Sequence, residues 1–311
     1  HHVRRRHHIS AGLRVGGSNN FTLAGTLTAD NTANRGLQNY GSAVVTLNNI
    51  NCTSGAASSV SFDGGTFVVN GAITGGGGGL RVQAGNVTLN GLNTYTGATT
   101  ITGGSLSGTG SITASPVAMS GGSLLLPGGA TTAGLTMSAG VTFTGTPTVV
   151  FASVPTASTA YDVLNYGSGT VTGIENLRFA AHGASLTDDT VNQKLTVTTT
   201  GPETRTWNTT TGTWDGIGTN LSWLEGDLKF FNNDSAVFSD IAADSVITIS
   251  GTVNAAAVTV QNNANLYTFT GGSITGAAGL TKDNAGNLTI NTATCADSNN
   301  RYSNTFGYFS S

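Results

Sequence analysis

Charged side chains are scarce in this sequence. Asp, Glu, Lys and Arg make up 9% of the 311 residues, whereas they make up about a quarter of an ordinary soluble domain. A surface of salt-bridged helices is therefore excluded over most of the chain. Thr, Ser and Asn take the place of the charges, and these residues form strands and turns more readily than helices. We expect an all-β protein.

Cysteine, proline and long apolar runs are also scarce. Cys52 and Cys295 are the only cysteines, and they lie too far apart in the sequence for a disulfide bond in a chain whose contacts join neighbouring turns. No apolar run approaches the roughly 20 residues of a membrane helix, so we predict no transmembrane segment in this chain. The five prolines are scattered and 38% of the residues are hydrophobic, which argues against a disordered chain.

Basic residues are sparse outside the N-terminus. The net charge is −3, with 12 basic and 15 acidic residues, and the stretch 1–14 is rich in Arg and His and contains no acid. Nucleic acids and anionic membranes bind clusters of Lys and Arg, so we expect no nucleic-acid partner. We interpret 1–14 as a basic, His-rich N-terminal remnant rather than as a binding segment.

Short alternating segments separated by glycine pairs fill the rest of the sequence. Residues 44–47 and 86–89 alternate apolar and polar side chains, as a strand with one buried face does. Asp63-Gly64-Gly65 and Gly103-Gly104 supply the positive φ that tight corners need. This rhythm is typical both of an antiparallel sandwich or barrel and of a parallel β-helix.

Repetition of one sequence unit favours the β-helix. Residues 67–90 and 269–291 both contain Ile-Thr-Gly, then Gly-Leu, then Ala-Gly-Asn followed by a short alternating strand that ends in Asn. A one-residue difference in their length is absorbed at the corner of a solenoid, whereas it disturbs the register of a closed barrel. We predict a basic remnant (1–14), a β-helix block (15–200), an aromatic-rich spacer (201–240), a second β-helix block (241–291) and a divergent tail (292–311).

Residues 79–106 resemble the autotransporter-associated β-strand repeat. The match begins at Gly79-Leu80, continues through the strand at 85–91 and reaches the element Asn93-Thr94-Tyr95-Thr96-Gly97. A second, shorter match begins at Gly279-Leu280-Thr281-Lys282 and ends at Asn291. The repeat residues that we expect to be structural are Gly79, Leu80, Asn93, Tyr95, Gly97, Gly279 and Leu280.

This resemblance implies a passenger segment of a bacterial protein secreted by the type V pathway. The family forms a right-handed parallel β-helix outside the cell, held to the outer membrane by a barrel that we do not find in this chain. We therefore expect an extracellular structural or adhesive role without catalysis, with host surfaces, glycans or further copies of the chain as partners. Two alternatives are a self-assembling filament or matrix subunit and a carbohydrate-active β-helix enzyme.

Three tryptophans in the predicted spacer are the candidate binding residues. Many proteins bind sugars through exposed aromatic rings, so Trp207, Trp214 and Trp223 are candidate glycan contacts. The interpretation that we favour is that these bulky side chains seal the end of a stack of turns, because large aromatic residues usually lie in the core. Solvent-exposed rings in a row would reverse that preference.

Patterns for catalysis or metal binding are weak. A β-helix enzyme needs three or more carboxylates that converge with a Lys or Arg, and no such convergence is evident in the sequence. Asp188-Asp189 is typical of a turn, and His182, the one histidine outside the N-terminal stretch, is interpreted as a loop residue. The glycine run at 75–79 lacks the Lys-Ser/Thr ending of a phosphate loop. We predict no catalytic residue, no metal site and no cofactor.

Overall fold

The computed structural model is built of β-strands that form two compact units. Unit 1 comprises residues 1–179 and 184–199, and unit 2 comprises residues 180–183 and 200–311. Among the described residues, the 3-10 turn at Ile174–Asn176 is the one helical element. The structure describes residues 12–29, 35–52, 59–127, 134–276 and 279–297, together with the short strands at 2–3, 7–9 and 308–309.

Unit 1 consists of short strands in three sheets, which we name A, B and C. The strands of unit 1 are β1 (His2–Val3), β2 (His7–Ile9), β3 (Leu13–Val15), β4 (Phe21–Ala29), β5 (Arg35–Asn39), β6 (Val44–Cys52), β7 (Ser59–Asp63), β8 (Thr66–Val69), β9 (Ile73–Thr74), β10 (Gly79–Val82), β11 (Asn86–Leu89), β12 (Leu92–Asn93), β13 (Thr99–Ile101), β14 (Ser105–Ser107), β15 (Ser111–Ile112), β16 (Val117–Met119), β17 (Ser123–Leu126), β18 (Leu135–Met137), β19 (Val141–Phe143), β20 (Thr148–Phe151), β21 (Tyr161–Asn165), β22 (Val171–Thr172), β23 (Arg178–Phe179), β24 (Ser185–Asp189) and β25 (Lys194–Thr198).

Strands of unit 1 pair with the strands one turn earlier and one turn later. The order in sheet A is β1-β4-β6-β8-β11-β14-β17-β20-β23, that in sheet B is β22-β19-β16-β13-β10-β7-β5-β3, and that in sheet C is β12-β15-β18-β21-β25-β24. These sheets are parallel except where β25 pairs with β21 and β24 in sheet C. Parallel sheets stacked turn upon turn are a β-solenoid, so the predicted fold class is confirmed. Its right hand stays a prediction.

The core of unit 1 is made of columns of apolar side chains, one from each turn. In sheet B the residues of one such column are register partners in successive strands and are at most 1% exposed. Burying each side chain of this size stabilises the fold by about 1.5–3 kcal/mol. The apolar-polar alternation of the sequence therefore sets which face of each strand is buried. The column consists of Leu37, Phe62, Val82, Ile101, Met119 and Phe143.

Unit 2 is a second stack with longer strands in two sheets, named D and E. Sheet D has the order β26-β28-β30-β32 and sheet E has the order β27-β29-β31-β33-β34. All pairs are parallel except the final pair of sheet E. The strands are β26 (Thr204–Thr206), β27 (Thr211–Trp214), β28 (Ser235–Phe238), β29 (Ser245–Asn254), β30 (Ala257–Val260), β31 (Tyr267–Gly276), β32 (Leu280–Lys282), β33 (Leu288–Asp297) and β34 (Tyr308–Phe309).

The segment predicted as a spacer is part of unit 2. Residues 201–240 contribute β26 and β28 to sheet D and β27 to sheet E, because their alternating side chains continue the same ladders as residues 241–291. In the predicted tail (292–311), residues 292–297 complete β33, and residues 298–307 lie outside the described residues. In the predicted remnant (1–14), β1 and β2 pair with β4.

Candidate functional site

The three tryptophans form the core of unit 2. Trp207, Trp214 and Trp223 are 0%, 0% and 2% exposed. The Trp207 and Trp223 rings meet edge to face with 5.3 Å between centroids, and the Trp214 and Trp223 rings meet at 5.6 Å. Sugar stacking requires an exposed ring face, which none of these side chains has. The structure therefore agrees with the favoured interpretation of these residues as core.

Two glycines leave space for the aromatic rings of this core. Gly212 faces inward in β27, and a Cβ at that position would lie 3.0 Å from the ring of Trp207. Gly218 has a φ of +70°, and a Cβ there would lie 2.4 Å from the Phe231 ring. Between β27 and β28 the chain makes a long excursion, residues 215–234, that carries Trp223 and Phe230 into the core. These two side chains therefore belong to the same buried cluster as Trp207 and Trp214.

A buried polar group lies beside this aromatic core, and we name it the His182 cluster. It contains a histidine, an arginine and three carboxylates, which come from three separate stretches of the sequence. His182, Arg205 and Asp234 are 3%, 2% and 1% exposed, whereas the side chains of Glu203 and Asp227 are 40% and 43% exposed. The cluster consists of His182, Glu203, Arg205, Asp227 and Asp234.

Asp234 is fully engaged by hydrogen bonds. Its Oδ2 lies 2.7 Å from Nε2 of His182 and accepts the backbone N–H of Phe231 at 2.7 Å. Its Oδ1 accepts the backbone N–H of Glu203 at 2.8 Å. A buried carboxylate is stable only when it is paired and hydrogen-bonded, and these contacts supply both conditions. Asp234 thereby joins residues 180–183 to the beginning of β28 within unit 2.

Arg205 holds the remaining members of the cluster together. Its Nη2 lies 2.7 Å from Nδ1 of His182, 2.8 Å from Oε2 of Glu203 and 3.2 Å from Oδ1 of Asp227. Its Nη1 donates to the backbone carbonyl of Glu225. The His182 ring packs edge to face on Phe231 at 4.7 Å. Two half-exposed carboxylates are therefore held close together on one buried guanidinium.

Sequence reasoning missed this convergence. His182 lies in a turn, as expected, but it is buried and paired rather than free in a loop. Arg205 occupies the inward middle position of β26, and Asp234 follows the long excursion between β27 and β28. One signal in the sequence could have indicated it. The alternation in β26 places the charged Arg205 at an inward position, where it requires a buried partner.

The Asn and Tyr of the repeat motif bind the neighbouring turn of unit 1. Asn93 is 0% exposed, accepts the backbone N–H of Ile73 at 2.9 Å and donates to the carbonyl of Gly91 at 3.0 Å. The hydroxyl of Tyr95 lies 2.6 Å from Oγ1 of Thr99, and burial raises the pKa of this tyrosine. These contacts have a structural role in the stacking of turns.

The Gly and Leu residues of the motif fill tight positions. A Cβ at Gly79 would lie 2.3 Å from the carbonyl oxygen of Ala98, and a Cβ at Gly97 would lie 2.4 Å from the backbone of Gly78. Gly279 has a φ of +70°, which disfavours other residues. The two leucines lie toward the cores of their units, since Leu80 is 0% exposed and Leu280 packs, partly buried, against the core of unit 2.

Other carboxylates fix turns. Asp188 and Asp189 end β24, and the turn predicted there lies instead at residues 190–193. Hydrogen bonds from the side chain and backbone of Asn192 lower the pKa of Asp189. Asp240 accepts the backbone N–H of Asn263 at 2.8 Å, and such bonds lower its pKa. For Asp215, burial acts to raise the pKa, but four hydrogen bonds outweigh it and the pKa is lowered.

Two further properties concern the described part of the chain. No group of three or more His, Cys, Asp or Glu side chains there is arranged to hold a metal ion. Within the same residues, no helix has the length and apolar character needed to cross a membrane. The candidate site of this chain is the His182 cluster.

Comparison with protein-family models, with curated proteins and with solved structures finds no match to this chain. The resemblance to the autotransporter-associated β-strand repeat rests on the motif residues quoted above, and it stays a prediction. The solenoid fold is compatible with that resemblance and also with many other families, because a fold does not determine a function.

Proposed function

We propose that this chain is a segment of an extracellular bacterial surface protein, a β-helical passenger stalk with a structural or adhesive role and no catalytic activity. The observation that carries the proposal is the use of polar side chains to join one turn to the next. Asn93 bonds to the preceding turn, Asn90 donates to Asn70 at 3.0 Å, and Asp240 binds the backbone of the following turn. A stalk needs this kind of continuous cross-turn bonding.

Composition supports the same role. A surface of Thr, Ser, Asn and Gly with 9% charged residues provides many hydrogen-bonding groups and little electrostatic selectivity. The resemblance at 79–106 adds the expectation of type V secretion and a cell-surface location. Hosts, glycans or other copies of the chain are the partners that fit such a surface.

The experiment is to image the purified chain by negative-stain electron microscopy at two concentrations and to measure its binding to cells and a glycan array. Discrete particles at both concentrations with binding to cells or glycans support the adhesive role. Filaments that lengthen with concentration would make self-assembly the function instead. Discrete particles with no binding to any of these surfaces would leave a stalk without adhesion.

The His182 cluster favours carbohydrate-active catalysis as a second candidate function. Three carboxylates converge there with an arginine. Two of them, Glu203 and Asp227, are half-exposed and form ion pairs with the same atom, Nη2 of Arg205. A pair of carboxylates can act as acid and base, or as acid and nucleophile, in the cleavage of a glycosidic bond. Against this, both carboxylates are already paired with Arg205.

A screen against soluble and insoluble polysaccharides tests this second function. Release of sugar fragments by the wild-type chain, lost in both Glu203→Gln and Asp227→Asn while the fold is kept, would establish an enzyme. A chain that releases no fragment from the polysaccharides tested, or that releases them equally well with both variants, would remove the His182 cluster as a catalytic site. Thr259→Ala, on the outer face of sheet D, is the matched control.

A further inference from the structure

The outer face of sheet E carries a regular array of threonines, which we name the threonine face. Strand register aligns its side chains in two columns that run across β27, β29, β31 and β33. Six of its eight positions are threonine and none is charged. The first column is Thr211, Val246, Thr268 and Thr289, and the second is Thr213, Thr248, Thr270 and Asn291.

These side chains point away from the core. Burial alternates along β29, where Ser245, Ile247 and Ile249 are buried while Val246 and Thr248 are exposed. The remaining positions of the threonine face are exposed or half-buried. The array is therefore open to solvent.

The threonine face is held rigid from behind. The inward column between its two columns consists of Gly212, Ile247, Phe269 and Ile290, and Ile247 and Phe269 are 0% exposed. Threonine is β-branched and restricted at χ1, and the hydroxyl of Thr270 is further fixed by donation to the carbonyl of Ile247 at 3.2 Å. The methyl and hydroxyl groups of these threonines are therefore already ordered before binding, so little side-chain entropy is lost when a ligand binds.

The spacing of the array is set by the backbone. Neighbouring strands lie roughly 4.8 Å apart, and alternate residues of a strand lie roughly 6.6 Å apart. The shorter oxygen repeat of hexagonal ice is close to the spacing between strands, so the array matches ice along the direction that crosses the strands. Ice is also uncharged, as is the array, and ordered water that bridges hydroxyl groups is enthalpically nearly as good as a direct hydrogen bond.

We propose that the threonine face of unit 2 binds the surface of ice through water that its two columns hold in a lattice-like arrangement. The hydroxyl groups anchor these waters, and the methyl groups between them order water without competing hydrogen bonds. Val246 keeps the shape of threonine within the first column, and Asn291 ends the second. This activity goes beyond the proposed surface role and does not depend on it.

The test measures thermal hysteresis and inhibition of ice recrystallisation by the purified full-length chain. The double variant Thr248→Lys/Thr270→Lys places two hydrated charges in the middle of the second column. The wild-type chain is expected to inhibit recrystallisation, and the double variant is expected to need about a tenfold or higher concentration, equivalent to at least about 1.4 kcal/mol of binding free energy.

Thr259→Lys is the matched control, because Thr259 lies outside the threonine face on β30 of sheet D. Tryptophan fluorescence confirms the fold of each variant, since all three tryptophans are core residues of unit 2. Thr248→Val/Thr270→Val, which keeps the fold and shape, is expected to retain a weakened activity. A wild-type chain without effect on ice, or a double lysine variant as active as Thr259→Lys, would overturn the proposal, whatever the outcome of the glycan and cell-binding experiments.

Discussion

The Nε2 atom of His182 lies 2.7 Å from Oδ2 of Asp234, and both side chains are at most 3% exposed. Fifty-two residues separate the two in the sequence. The carboxylate also accepts two backbone N–H groups, so three segments of chain, at 182, 203 and 231–234, meet at one buried carboxylate. This relationship makes the polar cluster a strong determinant of stability in unit 2.

Asp234→Asn is expected to destabilise unit 2 by about 1–3 kcal/mol, because the amide has one oxygen in place of the two that accept backbone N–H groups, and a buried donor loses its partner. Urea unfolding followed by tryptophan fluorescence measures the change, since all the tryptophans lie in unit 2. Asp283→Asn makes the same chemical change at an exposed position and is expected to shift stability by less than about 0.5 kcal/mol. Equal effects of the two substitutions would contradict a structural role for the cluster.

Asn93→Leu is expected to destabilise unit 1 by about 2 kcal/mol, because the buried N–H of Ile73 and the carbonyl of Gly91 lose their partner. Hydrogen exchange gives the local measurement, as the Ile73 amide should exchange faster than in the wild type. Asn19→Leu is the matched control at an exposed position of unit 1. If the Ile73 amide keeps its protection in Asn93→Leu, the proposed bridge between turns is wrong.

The sequence predicts the solenoid because its local signals agree with the fold. The alternation at 86–89 coincides with β11, and Gly64, Gly65 and Gly104 have the positive φ expected of corners. One-sided strands and glycine corners are determined by neighbouring residues, so a single sequence contains enough information to recognise them.

The His182 cluster could not be predicted in this way. Its members come from a turn, from β26 and from the excursion between β27 and β28, and no periodicity relates them. The same is true of the antiparallel pairing of β24 and β25 at the end of sheet C, which departs from the repeat. Such features depend on long-range packing, which sets side-chain partners without leaving a local pattern.

Gly104→Ala is expected to destabilise unit 1 by at least about 2 kcal/mol. Gly104 has a φ of +65°, and a Cβ there would lie 2.2 Å from the carbonyl oxygen of Gly85 in the preceding turn, so strain and a backbone clash act together. Gly76→Ala meets no atom within 4 Å and is expected to be neutral or to stabilise by up to about 1 kcal/mol. Urea unfolding followed by circular dichroism compares the two. A Gly104→Ala variant as stable as Gly76→Ala would contradict the prediction, because it would show that the backbone at Gly104 shifts without a measurable loss of stability.

Cys52 lies at the end of β6, is 2% exposed, and burial raises the pKa of its thiol from 9.0 to about 12. The folded state therefore holds this proton more tightly than the unfolded state, and the stability that it contributes is complete below pH 9. As the pH rises from 9 towards 12, the unfolded chain loses the proton first and unfolding becomes easier. Burial acts in the same direction on Tyr267, whose pKa is raised to about 12.

Two measurements check this in a Cys295→Ser background, where Cys52 is the only thiol. The thiol should react with a disulfide reagent at pH 8 only as fast as the protein opens, because the buried group is protonated and shielded. The urea midpoint should fall between pH 9 and pH 12, and it should fall less in Cys52→Ala, in which only the contribution of Tyr267 and other shared groups remains. Rapid labelling of the folded protein at pH 8 would show that the thiol is open to solvent. An identical pH dependence of the urea midpoint with and without Cys52 would show that burial of this thiol does not contribute to alkaline unfolding.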